Sequence, residues 1–261
     1  MTGVLAVRRP ARLCWLPPAL ALLLVGTAIA YPLTDGPARD AVSWSIVLLG
    51  SGVSVSHAAI SRGARTGLGV LALVAVVAVL VEALGLATGV PYGEYSYSDA
   101  LGPTLLGVPF LVPLAWLLMA WPSWVLAARL APRSRPARVL IAAYVFAAWD
   151  VVLDPQMVQA GYWRWARPHP GLPGIDTVPL TNLAGWLLAG LVLMTLLELL
   201  AGRATSRGGD AAPLLVLGWM TLGGALAHAG WLGLPGSAVW GVLLALPVLA
   251  AVARQERARP R

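Results

Sequence analysis

Long apolar runs, broken by short segments rich in Gly, Pro and Arg, follow one another along the whole chain. Crossing about 30 Å of hydrocarbon takes roughly 20 residues of helix. Eight windows approach or meet that length, at 15–33, 43–60, 67–88, 104–128, 138–153, 178–200, 212–231 and 236–253, the second, fifth and eighth being the shortest. The pattern predicts an all-α fold, a polytopic transmembrane helical bundle of about eight spans. It forms a single integral membrane domain over residues 1–261, with two polar, aromatic blocks at 82–116 and 149–186. No period of 20 to 50 residues marks an internal repeat.

Composition agrees: 59% of the residues are hydrophobic and 11% charged, and the mean hydropathy is +0.78, too little polar surface for a soluble domain of this length. The net charge of +7 changes the picture only through its placement. The chain has no Lys, and fifteen of its eighteen Arg fall in the N-terminus, alternate loops and the C-terminus, leaving Arg39, Arg164 and Arg167 for the other loops. By the positive-inside rule both termini are cytoplasmic, which requires an even number of spans. The expected location is the cell membrane, and the expected partner of the basic loops is anionic lipid. Nucleic acid is not an expected partner, since the Arg are spread over separate loops. Arg8, Arg9 and Arg12, followed by an apolar run ending in Ala28 and Ala30, also fit a secretory signal peptide, whose cleavage leaves seven spans. A single cysteine, Cys14, allows no intrachain disulfide.

Candidate chemistry lies in the two blocks. Residues 149–186 read WDVVLDPQMVQAGYWRWARPHPGLPGIDTVPLTNLAGW, an apolar run that crosses an elbow of Trp, Pro and Gly into a second apolar run. Asp150 and Asp154 share a helix face if helix continues to the second of them; otherwise Asp154 opens the outer loop. Glu82 lies near the outer end of the third span, and Glu94 and Asp99 fall in the loop beyond it, among Tyr92, Tyr95 and Tyr97. A Tyr belt at the interface with solvated acids is the plain reading of that loop. Pro109 and Pro113 predict a kink at the start of the fourth span. Trp163 and Trp165, alternating around Arg164, fit a lid, and Arg164 or Arg167 is a candidate partner for Asp154 or Glu94. His169 and Asp176 are expected in solvent. Asn182 and His228 reach the same outer level, whereas Glu198 is expected to snorkel or to pair with Arg203. His57 reads as a proton relay or as a packed histidine bonded to a neighbouring carbonyl.

With alternate spans antiparallel, Glu82, Asp150, Asp154, Asn182 and His228 converge within about two turns of the outer boundary, at about 5.4 Å per turn. No HxxxH or HExxH metal motif, GxSxG elbow, P-loop or dinucleotide fingerprint occurs, so no metal or cofactor is expected. Carboxyls kept from water hold their protons, and aromatic faces stabilise a cation. Protonating an olefin and capturing the cation with water needs little else, and it suits a hydrophobic isoprenoid.

The first block carries E-x-x-G-x-x-T-G-x-P-Y-G-E-Y-x-Y from Glu82, then L-G and G-V-P. The second carries D-P-x-M from Asp154, G-Y-W-x-W from Gly161, V-P at Val178 and N-x-x-G-W from Asn182 to Trp186. These motifs resemble the membrane carotenoid biosynthesis family that includes the CruF-type carotenoid hydratases, in which Phe is expected where this chain has Tyr92. The resemblance implies hydration of the terminal 1',2' double bond of an acyclic carotenoid end, without a redox cofactor. The implied substrates are C40 monocyclic carotenes or C50 bacterioruberin precursors, and other carotenoid enzymes are possible partners. From membrane depth and chemistry, Asp150 or Asp154 donates the proton, and Glu82 or Glu94, with His228, handles the water. Tyr95, Tyr97, Trp163, Trp165, Asn182 and Trp186 enclose the substrate. A carotenoid or lipid carrier, or a non-catalytic partner in an enzyme complex, remains open.

Overall fold

The computed structural model describes residues 13–202 and 209–258. Arg8, Arg9, Arg12, Arg203, Arg207, Arg259 and Arg261 of the charge pattern lie outside them. Among the described residues, eight helical spans are long and apolar enough to cross a membrane, making the chain a multi-pass membrane protein. In chain order the helices are α1 (Leu16–Ala30), α2 (Gly36–Arg62), α3 (Ala64–Thr88), α4 (Leu111–Leu130), α5 (Arg135–Gln159) and α6 (Leu180–Ala201). A span from Ala211 to Gly230 follows, then α9 (Pro235–Arg257). That seventh span is interrupted: α7 (Ala211–Gly218) passes through one π turn, Trp219–Gly223, into α8 (Gly224–Gly230).

Local signals set the ends. Pro sits in the first two positions of α1, α2, α5 and α9, where its missing N–H has no intrahelical partner to lose. Ser134 caps α5 by accepting from the Ala137 N–H at 3.3 Å. Gly89 stops α3 in the left-handed region at φ 74°.

α4 is the central post. Of its apolar window 83% is buried, against 17% for α9, and it packs on α2, α3, α5, α6 and α7. One end of the bundle is closed by short strands. β1 (Tyr95–Tyr97), from the α3–α4 connection, pairs antiparallel with β4 (Trp163–Trp165), from the α5–α6 connection, in the register Tyr95↔Trp165 and Tyr97↔Trp163. β2 (Thr104–Leu105) and β3 (Val108–Pro109) form a hairpin turned at Leu106 (φ 55°) and Gly107 (φ 81°).

Two expectations need correction. The fourth span starts at Leu111, not 104, because residues 104–109 are taken by the hairpin. Pro109 therefore lies in β3 and Pro113 in the first helical turn, and the interior proline of α4 is Pro122. The fifth span does not end before Asp154, since α5 continues through Asp154 and Pro155 to Gln159. At the opposite end of the bundle, Glu198 pairs with Arg138 (Nη2–Oε1 2.5 Å, Nε–Oε2 3.0 Å) and accepts from Trp124 Nε1 at 3.1 Å. His57 accepts through Nδ1 from Trp121 Nε1 at 3.0 Å and donates to no carbonyl among the described residues, and its Nε2 lies 3.5 Å from Asp210.

Candidate functional site

Because α5 stays helical through Asp154, Asp150 and Asp154 stack one turn apart on one buried face. Asn182, in the first turn of α6, reaches across to both. Its Nδ2 donates to Asp150 Oδ2 at 2.8 Å and to Asp154 Oδ2 at 2.5 Å. Two carboxyls with no ion-pair partner among the described residues are thus tied to one amide, an arrangement that an apolar interior tolerates only when the groups are hydrogen-bonded.

Glu82, buried on α3, faces this pair from the other side. Its Oε2 accepts from the Tyr95 hydroxyl and from the Tyr97 hydroxyl, the latter at 2.8 Å. A strand sends residues two apart to the same face, so Tyr95 and Tyr97 of β1 point inward together, as do Trp163 and Trp165 of β4. Their rings meet across the sheet, Tyr97 on Trp163 edge-on at 5.7 Å and Tyr95 on Trp165 at 6.0 Å. Trp165 also donates through Nε1 to the Tyr92 carbonyl at 3.1 Å. Burial, and then the neighbouring Glu82, push the Tyr97 hydroxyl well above the usual phenol range, so it stays a donor to Glu82.

The glycines of the E-x-x-G and N-x-x-G-W motifs make room for this packing. A Cβ on Gly85 would lie 3.0 Å from both the Tyr92 ring and the Tyr95 hydroxyl, and one on Gly185 would lie 2.6 Å from the Tyr92 ring. Trp186 closes the floor with Trp116 and Phe146, each 5.0 Å away between ring centroids, and with Trp149 at 6.2 Å.

These groups enclose a cavity of ≈ 100 Å³. Glu82, Asp154, Asn182, Tyr95, Tyr97, Trp163, Trp165 and Trp186 line it, all of them expected from the sequence. Asp150 stands behind Asp154 and faces a separate small recess. The opposite wall is lined by Tyr31, Ser43, Gln156 and Tyr162. The Tyr162 hydroxyl donates to Asp40 at 2.6 Å, and burial together with that bond pushes it up to about 12.

Besides Asp150, two expected residues are not brought to the cavity wall. Glu94 is exposed at the surface and pairs with Arg167 at 3.2 Å, because it sits one residue before Tyr95 and takes the outward side of the strand. His228 is buried behind Gln156, its Nε2 3.0 Å from Gln156 Oε1 and its Nδ1 2.5 Å from Ser237 Oγ. His169 and Asp176 are exposed as expected. Conversely Tyr92, Trp116, Trp149, Gln156 and Tyr162 line the cavity without having been singled out as site residues. The buried Tyr92 hydroxyl makes no hydrogen bond to protein, and the nearby Glu82, Asp150 and Asp154 add to burial in raising it above the usual range. Its place beside Gly93 in the first block was the available signal. Among the described residues, no three His, Cys, Asp or Glu side chains are grouped so as to hold a metal ion.

A family model described as "Carotenoid biosynthesis protein" matches residues 42–249, which include both polar blocks and all of the cavity wall except Tyr31. The chain is also similar to a protein of Haloarcula japonica named bisanhydrobacterioruberin hydratase, with 35% identity over 147 residues. That match covers 55% of this chain and 48% of the relative, so it spans about half the length of that protein. No solved structure matches the chain significantly.

Proposed function

Because this chain belongs to the carotenoid biosynthesis protein family, we propose that it is a hydratase adding water across the terminal 1',2' double bond of an acyclic carotenoid end group. The observation that carries this reading is a carboxyl, Asp154, on the wall of an aromatic cavity, backed through Asn182 by a second carboxyl. Two buried carboxyls this close are held at least cost when they keep a proton between them. Asp154 gives that proton to the olefinic CH, a new C–H bond forms, and a tertiary cation remains. The faces of Trp163, Trp165 and Trp186 stabilise it. Water then forms the C–O bond, and its surplus proton passes to Glu82, which Tyr95 and Tyr97 hold in place, before returning to Asp154. The sum is one water added, with no redox change and no cofactor required.

In this scheme Asp150 and Asn182 position Asp154, Glu94 takes no part, and His228 acts through Gln156. The cavity faces the outer leaflet of the cell membrane, with both termini cytoplasmic, and the substrate is a C40 or C50 carotenoid with an acyclic end. Expression in a host that accumulates lycopene or a monocyclic carotene tests the proposal: the expected product is heavier by one water and is strongly reduced with Asp154→Asn. Purified protein that retains such pigments unaltered would overturn it in favour of a carrier.

A further inference from the structure

The acid-lined cavity is too small for a long polyene, and it does not end blindly. A second cavity, of ≈ 210 Å³, lies against it, and the two share Tyr31, Ile46, Trp149, Leu153, Gln156 and Met220 as lining. From that common wall the second cavity runs between the end of α1 and the interrupted seventh span. Apart from Gln156 and the Tyr31 hydroxyl, the side chains of its walls are hydrocarbon, indole and the Met220 thioether.

The π turn makes the space. Residues wound i→i+5 bulge from the helix, and such bulges collect at functional sites. Here Trp219, Met220 and Gly223 of the turn, and Gly224 immediately after it, all line the second cavity. A Cβ on Gly224 would press on Val152, which lines the same cavity, at 3.0 Å, and one on Gly223 would press on the Trp219 ring at 3.1 Å. At both positions a side chain would displace a residue of the cavity wall. At its far side the lining includes Ile29, Leu33, Leu226 and Trp231, each more than half exposed on the apolar flank of the bundle. The passage opens on an apolar flank of the bundle.

We propose that this second cavity is the binding channel for the long apolar chain of the substrate. The chain enters from the bilayer between α1 and α8, so that its reacting end reaches Asp154. The inference rests on the hydratase reading for the identity of the reacting end. Its occupant is the extended isoprenoid hydrocarbon itself, because the channel is continuous with the acid site and supplies hardly any polar partner along its length. Gln156, on the shared wall and held by His228, marks the junction between the chain-binding and the reacting compartments.

The test uses the parent protein in detergent with an acyclic isoprenoid hydrocarbon that carries a diazirine remote from the reacting end. After photolysis, label is expected on residues 28–33 and 219–231 and is expected to be displaced by unlabelled carotenoid. Label confined to other segments, or displaced equally by phospholipid, overturns the channel. A second measurement uses Gly224→Leu and Ala227→Phe with a long carotenoid and with a short isoprenoid bearing the same end group. The ratio of kcat/KM for long over short substrate is expected to fall at least tenfold, and an unchanged ratio counts against the proposal. Label on the two segments in a protein that hydrates no carotenoid would leave the channel standing and remove the hydratase reading.

Discussion

Asp154→Asn and Asp150→Asn differ by a single atom type in each case, yet the geometry demands unequal outcomes. Asp154 lines the cavity and Asp150 does not. Asparagine at 154 keeps the shape but carries no acidic proton. General acid catalysis contributes about 10²- to 10⁴-fold, or roughly 2.7–5.5 kcal/mol of barrier, so the rate should fall by about that factor. Asparagine at 150 still offers a carbonyl oxygen to Asn182 Nδ2, which now lies 2.8 Å from Asp150 Oδ2. The loss is then that of weakening one hydrogen bond, about 0.5–1.5 kcal/mol, or up to roughly tenfold in rate. The assay is initial-rate formation of hydrated product by purified protein in detergent, analysed by chromatography and mass spectrometry. Both variants should elute as the parent does, because neither changes volume. Equal losses at the two positions, or a Asp150→Asn variant slower than Asp154→Asn, would refute the assignment of donor and positioning residue. A fully active Asp154→Asn variant would remove the acid step altogether.

Three further outcomes are expected. Gly185→Ala drives a methyl into the Tyr92 ring at 2.6 Å and should destabilise the protein by about 1–3 kcal/mol through overpacking, read as a lower melting temperature in detergent. Arg138→Met strips Glu198 of its bidentate partner and leaves the buried carboxyl only the half-exposed Arg135 at 3.7 Å and the Trp124 indole N–H. The expected cost is about 3–5 kcal/mol, seen as a shortened thermal half-life that a second change, Glu198→Gln, partly restores. At the opposite end, His57 beside Asp210 holds that carboxyl below the usual carboxylate range. A depressed folded value stabilises above the ordinary pKa of about 3.9 and is lost as pH falls through the lowered value. The melting temperature of the parent should therefore exceed that of Asp210→Asn near neutrality, and the two should converge as the pH is lowered below about 4.

Where the sequence succeeded and where it failed has a common cause in the range of each signal. Spans are written in some twenty consecutive residues, so eight were legible, and counting turns was enough to expect Glu82, Asp150, Asp154 and Asn182 near one another at one end of the bundle. Strands of three residues leave no such trace. Tyr95–Tyr97 and Trp163–Trp165 are 66 to 70 positions apart in their pairing, and nothing local announces that one loop will be stapled to the other. Without that sheet the Tyr belt reads as interfacial; with it, Tyr95 and Tyr97 become the donors that hold Glu82. The same sheet explains the fate of Glu94. Once Tyr95 and Tyr97 are committed inward, the alternation of a strand sends Glu94 and Ser96 to the other face, where Arg167 lies within 3.2 Å. That step was available from the E-Y-x-Y spacing as soon as a strand was considered there. The seat of His228 was not, because its partners Gln156 and Ser237 belong to two other spans and depth alone cannot distinguish the cavity side of a helix from the side behind it. Depth fixes one coordinate of a membrane residue, whereas azimuth is set by which helices are neighbours. Asp154 faces the cavity and His228 does not because α5 is gripped by α4 and α6 on one side and by α8 and α9 on the other.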